Sequence, residues 1–183
     1  MKPDSLTSCL LGGALGDSLG LPAENMSASR IARRWPGPLR HRFLGERGMV
    51  SDDTEHAVMT LVSLQESGRG PESFANALAK RLRWWLAGMP AGIGLATLKS
   101  ILKLWLGVSP RKSGVWSAGN GPMMRAAVIG VHFANDPELR ASFTNASTRI
   151  THSDPRAAEA ARLIAEAAAL AVHGEGNEQT ILR

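Results

Sequence analysis

The sequence predicts an all-α protein, and three observations support this fold class. Apolar residues recur at helical spacing along most of the chain, and no segment of useful length alternates apolar and polar residues as a half-buried strand would. In addition, a capped, alanine-rich stretch near the C-terminus has a strong intrinsic preference for helix. With 183 residues, 44% of them hydrophobic, the chain can fill one core. We therefore expect residues 1–183 to form a single domain.

The first predicted helix combines an apolar face with one acidic residue. Its glycine-rich run at residues 12–14 suggests that another backbone packs closely there. Asp17 lies on the apolar face and would need a buried partner such as a helix N-terminus or an arginine, so we interpret it as structural. The residues that share this face are Leu6, Leu10, Gly13, Ala14 and Asp17.

Later segments continue the helical pattern. A second helix is predicted from Asp52, because Asp52 and Glu55 have the spacing of a capping box. The clearest helix follows Asp154, a capping residue ahead of a proline, and continues through residues 156–173. Other predicted helices cover residues 71–86, 94–106, 123–133 and 137–149. Two long loops remain, at residues 21–50 and 107–122, and loops held by a scaffold commonly carry functional groups.

Cysteine content and charge limit the environment and the partners. Cys9 is the only cysteine and cannot form an internal disulfide, which favours a reducing, cytoplasmic location. No apolar run is long enough to span a membrane. A formal net charge of +5 and an arginine cluster between Arg30 and Arg47 favour phosphate-bearing partners. Nucleic acid is one such partner, although the few aromatic residues give little support to a base-stacking surface.

Two adjacent carboxylates, Asp52 and Asp53, are the main candidates for chemistry. They stand between the hydroxyls of Ser51 and Thr54 at the start of a predicted helix. Crowded acids are stabilised by protonation or by a cation, and hard oxygen donors suit Mg²⁺, Ca²⁺ or Mn²⁺ better than zinc. The alternative is that these carboxylates only cap free N–H groups and complement the helix dipole.

Three further segments carry candidate binding groups. Glu24 follows a turn-prone stretch and should lie on a loop that can reach another helix end, although an exposed acid is the simpler interpretation. Residues 119–121 read Gly-Asn-Gly immediately before a predicted helix, a pattern that indicates either a phosphate cradle or an ordinary turn. His152 precedes the alanine-rich helix and is either a titratable site residue or a hydrogen-bonded loop histidine.

Four motifs in the same order resemble the ADP-ribosylglycohydrolase family, which includes the enzymes that reactivate ADP-ribosylated dinitrogenase reductase. They are GGALGDSLG at 12–20, SDDT at 51–54, GNGPMMR at 119–125 and THS at 151–153. The resemblance covers nearly the whole chain and implies an orthogonal multi-helix bundle. It also implies a hydrolase that uses Mg²⁺, two ions in complete members, to cleave the bond between ADP-ribose and a modified protein side chain.

The resemblance implies specific roles for nine residues. Metal ligands would be Ser51, Asp52 and Asp53, and the catalytic acids would be Glu24, Asp52 and Asp53. Substrate-binding residues would be Gly119, Asn120, Gly121, Met124 and His152. The partner would be ADP-ribose or an ADP-ribosylated protein.

One part of the family pattern is missing from this sequence. Complete members carry a second acidic motif, Asp-x-Asp-Thr, beyond the alanine-rich helix, whereas no Asp follows Asp154 here. We therefore expect a C-terminally truncated domain that holds one Mg²⁺ or none, and that a second chain or an oligomer could complete. The alternatives are a non-catalytic relative that binds metal or ADP-ribose or has a structural role, and a basic helical nucleic-acid-binding protein.

Overall fold

The computed structural model describes residues 4–43, 45–90 and 92–174, and these ranges contain eight α-helices. The helices are α1 (Asp4–Gly20), α2 (Ala28–Arg34), α3 (Asp52–Ser67), α4 (Pro71–Ala87), α5 (Leu95–Trp105), α6 (Met123–His132), α7 (Pro137–Thr151) and α8 (Pro155–His173). The same ranges contain no sheet, only isolated bridges at Phe43–Arg47 and Val115–His152. The all-α prediction is confirmed, while residues 175–183 of the predicted domain lie outside the described ranges.

Seven of these helices coincide with predicted segments, and α2 does not. The prediction of one continuous loop over residues 21–50 is therefore wrong, since a 3-10 turn and α2 interrupt it. Ser27 caps α2 by accepting a hydrogen bond from the backbone of Arg30 at 3.4 Å. Within the described ranges, no helix is both long and apolar enough to cross a membrane.

The hydrophobic core lies among α3, α4, α5, α6 and α7. Two phenylalanines mark its centre, because Phe74 and Phe143 are fully buried with ring centroids 5.1 Å apart. α1 covers one side of this core through Leu6 and Leu10. The other large, fully buried apolar side chains are Leu64, Leu78, Leu82, Ile101, Val128, Ile129 and Ile150.

The closest backbone approach lies between α6 and α8. A Cβ atom at Gly130 would overlap the carbonyl oxygen of Ala165, so only glycine fits there. The expected close packing at residues 12–14 of α1 is wrong, because a Cβ atom at Gly12 or Gly13 would meet no described atom within 4 Å. The alanine-rich α8 therefore packs against α6 through small residues, and α6 is held firmly at the centre of the fold.

Candidate functional site

Asp17, near the end of α1, holds the start of α3. Its Oδ2 accepts hydrogen bonds from the backbone N–H groups of Ser51 at 2.7 Å and Thr54 at 3.2 Å, and from the Thr54 hydroxyl at 2.6 Å. Its Oδ1 accepts from the Ser51 hydroxyl at 2.7 Å. Burial raises the pKa of Asp17, but these four hydrogen bonds outweigh it and lower the pKa below its usual value. The predicted partner of Asp17, a helix N-terminus, is confirmed.

The start of α3 differs from the predicted capping box. Ser51, not Asp52, is the N-cap residue, and its hydroxyl lies 3.5 Å from the backbone nitrogen of Asp53. Glu55 accepts a hydrogen bond from the indole N–H of Trp85 at 2.6 Å. The capping-box prediction is therefore wrong, because Asp17 supplies the capping carboxylate from another helix.

The pKa values of the acidic pair are raised by burial and by nearby negative charge. Burial raises the pKa of Asp52 to about 6, and the charges of Asp53 and Glu24 add to the increase. Burial also raises the pKa of Asp53, with a further contribution from Asp17. Because each carboxylate makes its neighbour harder to ionise, the cluster would be stabilised by a proton or by a cation.

A cavity of about 500 Å³ brings most of the predicted site residues together. Its walls come from the loop after α1, the start of α3, the loop before α6 and the end of α7. Ser51 lies beside Asp17 instead of in the cavity wall. The predicted residues that line the cavity are Glu24, Asp52, Asp53, Gly119, Asn120, Gly121, Met124 and His152. Four segments far apart in sequence thus face one space, while the individual roles of these residues remain predictions.

The glycines of the loop before α6 make room for His152. The His152 side chain is buried at the end of α7, and a Cβ atom on Gly119 would lie 3.1 Å from its Nε2. A Cβ atom on Gly121 would lie 2.9 Å from His152 Cε1. Neither glycine has a positive φ. Space around the imidazole, not an unusual backbone conformation, therefore explains the glycines at these positions.

The sequence interpretation missed one wall of the cavity. Residues 92–97, from the loop between α4 and α5 and the first turn of α5, contribute Gly92, Gly94, Leu95, Ala96 and Thr97. Thr97 is buried, and a Cβ atom on Gly121 would lie 3.4 Å from its hydroxyl oxygen. The available signal was a pair of glycines immediately before a predicted helix, the same signal that identified residues 119–121. Asn25 and Ser117 also line the cavity and were also missed.

The donor atoms around Asp52 and Asp53 fit a hard divalent cation. Carboxylate oxygens are the ligands that Mg²⁺ prefers, and Mg²⁺ usually retains several waters. Within the described part of the chain, no group of three His, Cys, Asp or Glu side chains is arranged to hold a metal ion. A cation held by Asp52 and Asp53 would therefore take its remaining ligands from water, hydroxyls or a bound ligand.

The raised pKa of Asp52 predicts a pH dependence of stability in metal-free protein. Folding favours the protonated form of Asp52. The contribution of this carboxyl group to the stability of the fold is therefore complete below about pH 4 and is lost as the pH rises to about 6. In EDTA at pH 7, Asp52→Asn should raise the free energy of unfolding by about 1 kcal/mol after allowance for solvent screening. That corresponds to about 2–4 °C in Tm for a chain of this size. Thermal melts of both proteins at pH 4 and pH 7 test this, and an equal difference at both pH values would contradict it.

Comparison with known proteins agrees with the motifs and the fold. A family model described as ADP-ribosylglycohydrolase matches residues 2–183. The chain belongs to the ADP-ribosylglycohydrolase family. The resemblance inferred from the four sequence motifs is therefore confirmed.

Two relatives of known sequence are longer than this chain. An uncharacterized protein of Archaeoglobus fulgidus is 32% identical over 97% of this chain and 59% of its own length. The ADP-ribosyl-[dinitrogen reductase] glycohydrolase of Rhodospirillum rubrum is 26% identical over 83% of this chain and 52% of its own length. The chain thus spans little more than half of the relatives it matches.

A solved ADP-ribosylglycohydrolase-related protein complex contains a chain of similar fold. The TM-score is 0.73 with 27% sequence identity, and the match covers 98% of this chain and 59% of that chain. The helical arrangement described above is therefore that of the ADP-ribosylglycohydrolase family.

Proposed function

We propose that the protein is a Mg²⁺-dependent hydrolase that cleaves the bond between ADP-ribose and a modified protein side chain. The observation that carries the proposal is the convergence of segments far apart in sequence on one cavity, which brings the carboxylates together with the loop at 119–121 and His152. Membership of the ADP-ribosylglycohydrolase family supports the same reaction class. ADP-ribose or an ADP-ribosylated protein is the corresponding ligand.

The acidic side of the cavity is suited to the ribose and its leaving group. Asp52 and Asp53 would hold Mg²⁺, whose bound form orients hydroxyls and lowers the pKa of a coordinated water. Glu24 lies close enough to raise the pKa of Asp52, so a cation held there would also relieve the repulsion between these two acids. A carboxylate beside the cation would assist proton transfer.

The start of α6 is suited to the phosphates. α6 begins at Met123, after Pro122, and a helix N-terminus favours negative charge. Two of its first three N–H groups already donate, Met123 to the Asn120 carbonyl oxygen at 2.8 Å and Arg125 to the Pro122 carbonyl oxygen at 3.3 Å. The Met124 N–H would therefore be the one to donate to a diphosphate oxygen.

A second candidate is a non-catalytic relative that binds ADP-ribose or metal without hydrolysis. One observation favours it: the described ranges contain no group of three His, Cys, Asp or Glu side chains arranged to hold a metal ion. In this case further ligands from a second chain or a second copy would be needed before hydrolysis could occur.

Isothermal titration of ADP-ribose into the purified chain, with Mg²⁺ and then with EDTA, tests the proposal. Binding that requires Mg²⁺ is the expected result. Hydrolysis of ADP-ribosylated arginine or serine peptides would then separate an enzyme from a binding protein. Absence of binding in both conditions, from protein shown to be folded by circular dichroism, would contradict both candidates.

A further inference from the structure

We propose that Thr151 is a positioning residue for the cavity. Its buried hydroxyl accepts a hydrogen bond from Arg125 and fixes the His152 imidazole as the Nε2–H tautomer, so that His152 donates a hydrogen bond to an oxygen atom of the ligand. The inference rests on the proposed function, because it places the ligand in the cavity that His152 faces.

Arg125 is completely buried and is neutralised by no carboxylate within the described residues. Burial lowers the pKa of Arg125 to about 10, which leaves the guanidinium charged at neutral pH. Its Nε donates to the Ser147 hydroxyl at 3.0 Å, and Nη2 donates to the Ser147 carbonyl oxygen at 3.1 Å. A buried, unpaired charge is costly, and its hydrogen bonds must therefore hold the surrounding groups in a defined arrangement.

The remaining contacts of Arg125 lead to two histidines. Nη1 lies 3.2 Å from Nδ1 of His56, and Nη2 donates to the Thr151 hydroxyl at 2.7 Å. An arginine side chain offers only donors, so His56 Nδ1 must be the acceptor and the proton of a neutral His56 resides on Nε2. The guanidinium therefore sets the tautomer of His56 directly, and it donates to the Thr151 hydroxyl that lies beside His152.

The direction of the hydrogen bond from Thr151 to His152 follows from the burial of Thr151, because a buried hydroxyl hydrogen needs an acceptor. Thr151 Oγ1 accepts from Arg125, and it lies 2.9 Å from Nδ1 of His152. Thr151 is fully buried, and His152 Nδ1 is the one acceptor within the described residues that its hydroxyl hydrogen can reach. The hydroxyl hydrogen of Thr151 therefore has an acceptor only when the hydroxyl donates to Nδ1 of His152. The proton of the imidazole must then be on Nε2.

Nε2 of His152 is the ring nitrogen that faces the glycine loop of the cavity. The Cβ position of Gly119 lies 3.1 Å from this nitrogen, so the absence of a side chain there keeps the N–H accessible. Burial lowers the pKa of His152 to about 4, and the charge of Arg125 contributes to the decrease. His152 is therefore a neutral donor near pH 7, suited to a phosphate or hydroxyl oxygen and not to proton transfer.

Nitrogen NMR of histidine-labelled protein tests the tautomer without ligand. The two ring nitrogens of a neutral imidazole have well-separated ¹⁵N shifts, and the protonated one should be Nε2 in His152. Thr151→Val removes the hydroxyl at nearly constant shape and should shift His152 toward the Nδ1–H form, with ADP-ribose affinity reduced about tenfold. Thr151→Ser keeps the hydroxyl and should retain both the tautomer and the affinity.

Thr148→Val is the matched control, because Thr148 is buried on the same helix and its hydroxyl donates to the Thr144 carbonyl oxygen at 2.9 Å. It should leave the His152 tautomer unchanged. An Nδ1–H tautomer in the unmodified protein would overturn the inference, as would an unchanged tautomer in Thr151→Val or an equal shift in Thr148→Val. Because the tautomer is read in ligand-free protein, failure of ADP-ribose binding would count against the proposed function alone.

Discussion

Replacement of Asp52 and Asp53 together by asparagine should abolish Mg²⁺ binding. The two carboxylates are the only charged side chains that α3 directs into the cavity, and their pKa values are raised by burial and by neighbouring negative charge, which a cation would offset. Loss of groups that merely orient metal ligands costs about 10–100-fold in affinity, so loss of both ligands should cost about a hundredfold or more. Isothermal titration with Mg²⁺, and then with ADP-ribose in the presence of Mg²⁺, measures the effect.

The matched control for this double variant is Glu72→Gln with Glu138→Gln. Both residues are exposed acids in the first turn of a helix, α4 and α7 respectively, and neither lines the cavity. The control makes the same change in net charge and should leave Mg²⁺ affinity unaltered. Unchanged Mg²⁺ affinity in the Asp52 and Asp53 variant would remove the metal-site hypothesis.

The second large effect is expected from Asp17→Ala. This carboxylate accepts four hydrogen bonds from Ser51 and Thr54, so its removal leaves two backbone N–H groups and two hydroxyls at the start of α3 without their partner. Hydrogen bonds to charged groups contribute about 1.5–3 kcal/mol each. Because water can replace some of the lost hydrogen bonds, we expect the free energy of unfolding to fall by about 3 kcal/mol in total. Urea unfolding measures this decrease. Mg²⁺ affinity should fall about tenfold as well, because Asp52 and Asp53 lose their fixed position.

Asp136→Ala provides the comparison for Asp17→Ala. Asp136 caps α7 by accepting the backbone N–H of Leu139 at 3.1 Å, and it also accepts a hydrogen bond from the exposed Arg69 at 2.7 Å. Loss of an ordinary cap costs about 1 kcal/mol, and it should not affect Mg²⁺ affinity. Equal destabilisation by the two substitutions would show that Asp17 is only a helix cap.

Helical periodicity predicted the fold well wherever a helix packs against the core. The helix α2 escaped prediction because its seven residues include no buried side chain, so it has no apolar stripe to detect. Its one local signal was Ser27 as a capping residue. Close packing was assigned to Gly12 and Gly13 instead of Gly130, since glycine content alone does not reveal which backbone lies opposite.

For the candidate site, the sequence predicted which segments meet but not how they are held. The acidic pair, the glycine loop and His152 were found as local patterns, and each lines the cavity. The hydrogen bonds of Arg125 link α6 to α3 and α7, and contacts between residues so far apart leave no periodic or spacing signature. Asp17 was an exception, because a charge on an apolar helix face requires a partner that can be deduced from burial alone.

The hydrogen bonds of Asp17 also have an evolutionary consequence. They join residues that are 34 and 37 positions apart, so they hold together the two ends of the segment between α1 and α3. This segment contains Glu24 and the basic helix α2, and the guanidinium groups of Arg34 and Arg42 lie 5.5 and 5.4 Å from the centre of the Trp35 ring. Because the hydrogen bonds of Asp17 fix the two ends of this segment, the part of it beyond Glu24 can change in length and charge while the acidic pair stays in register.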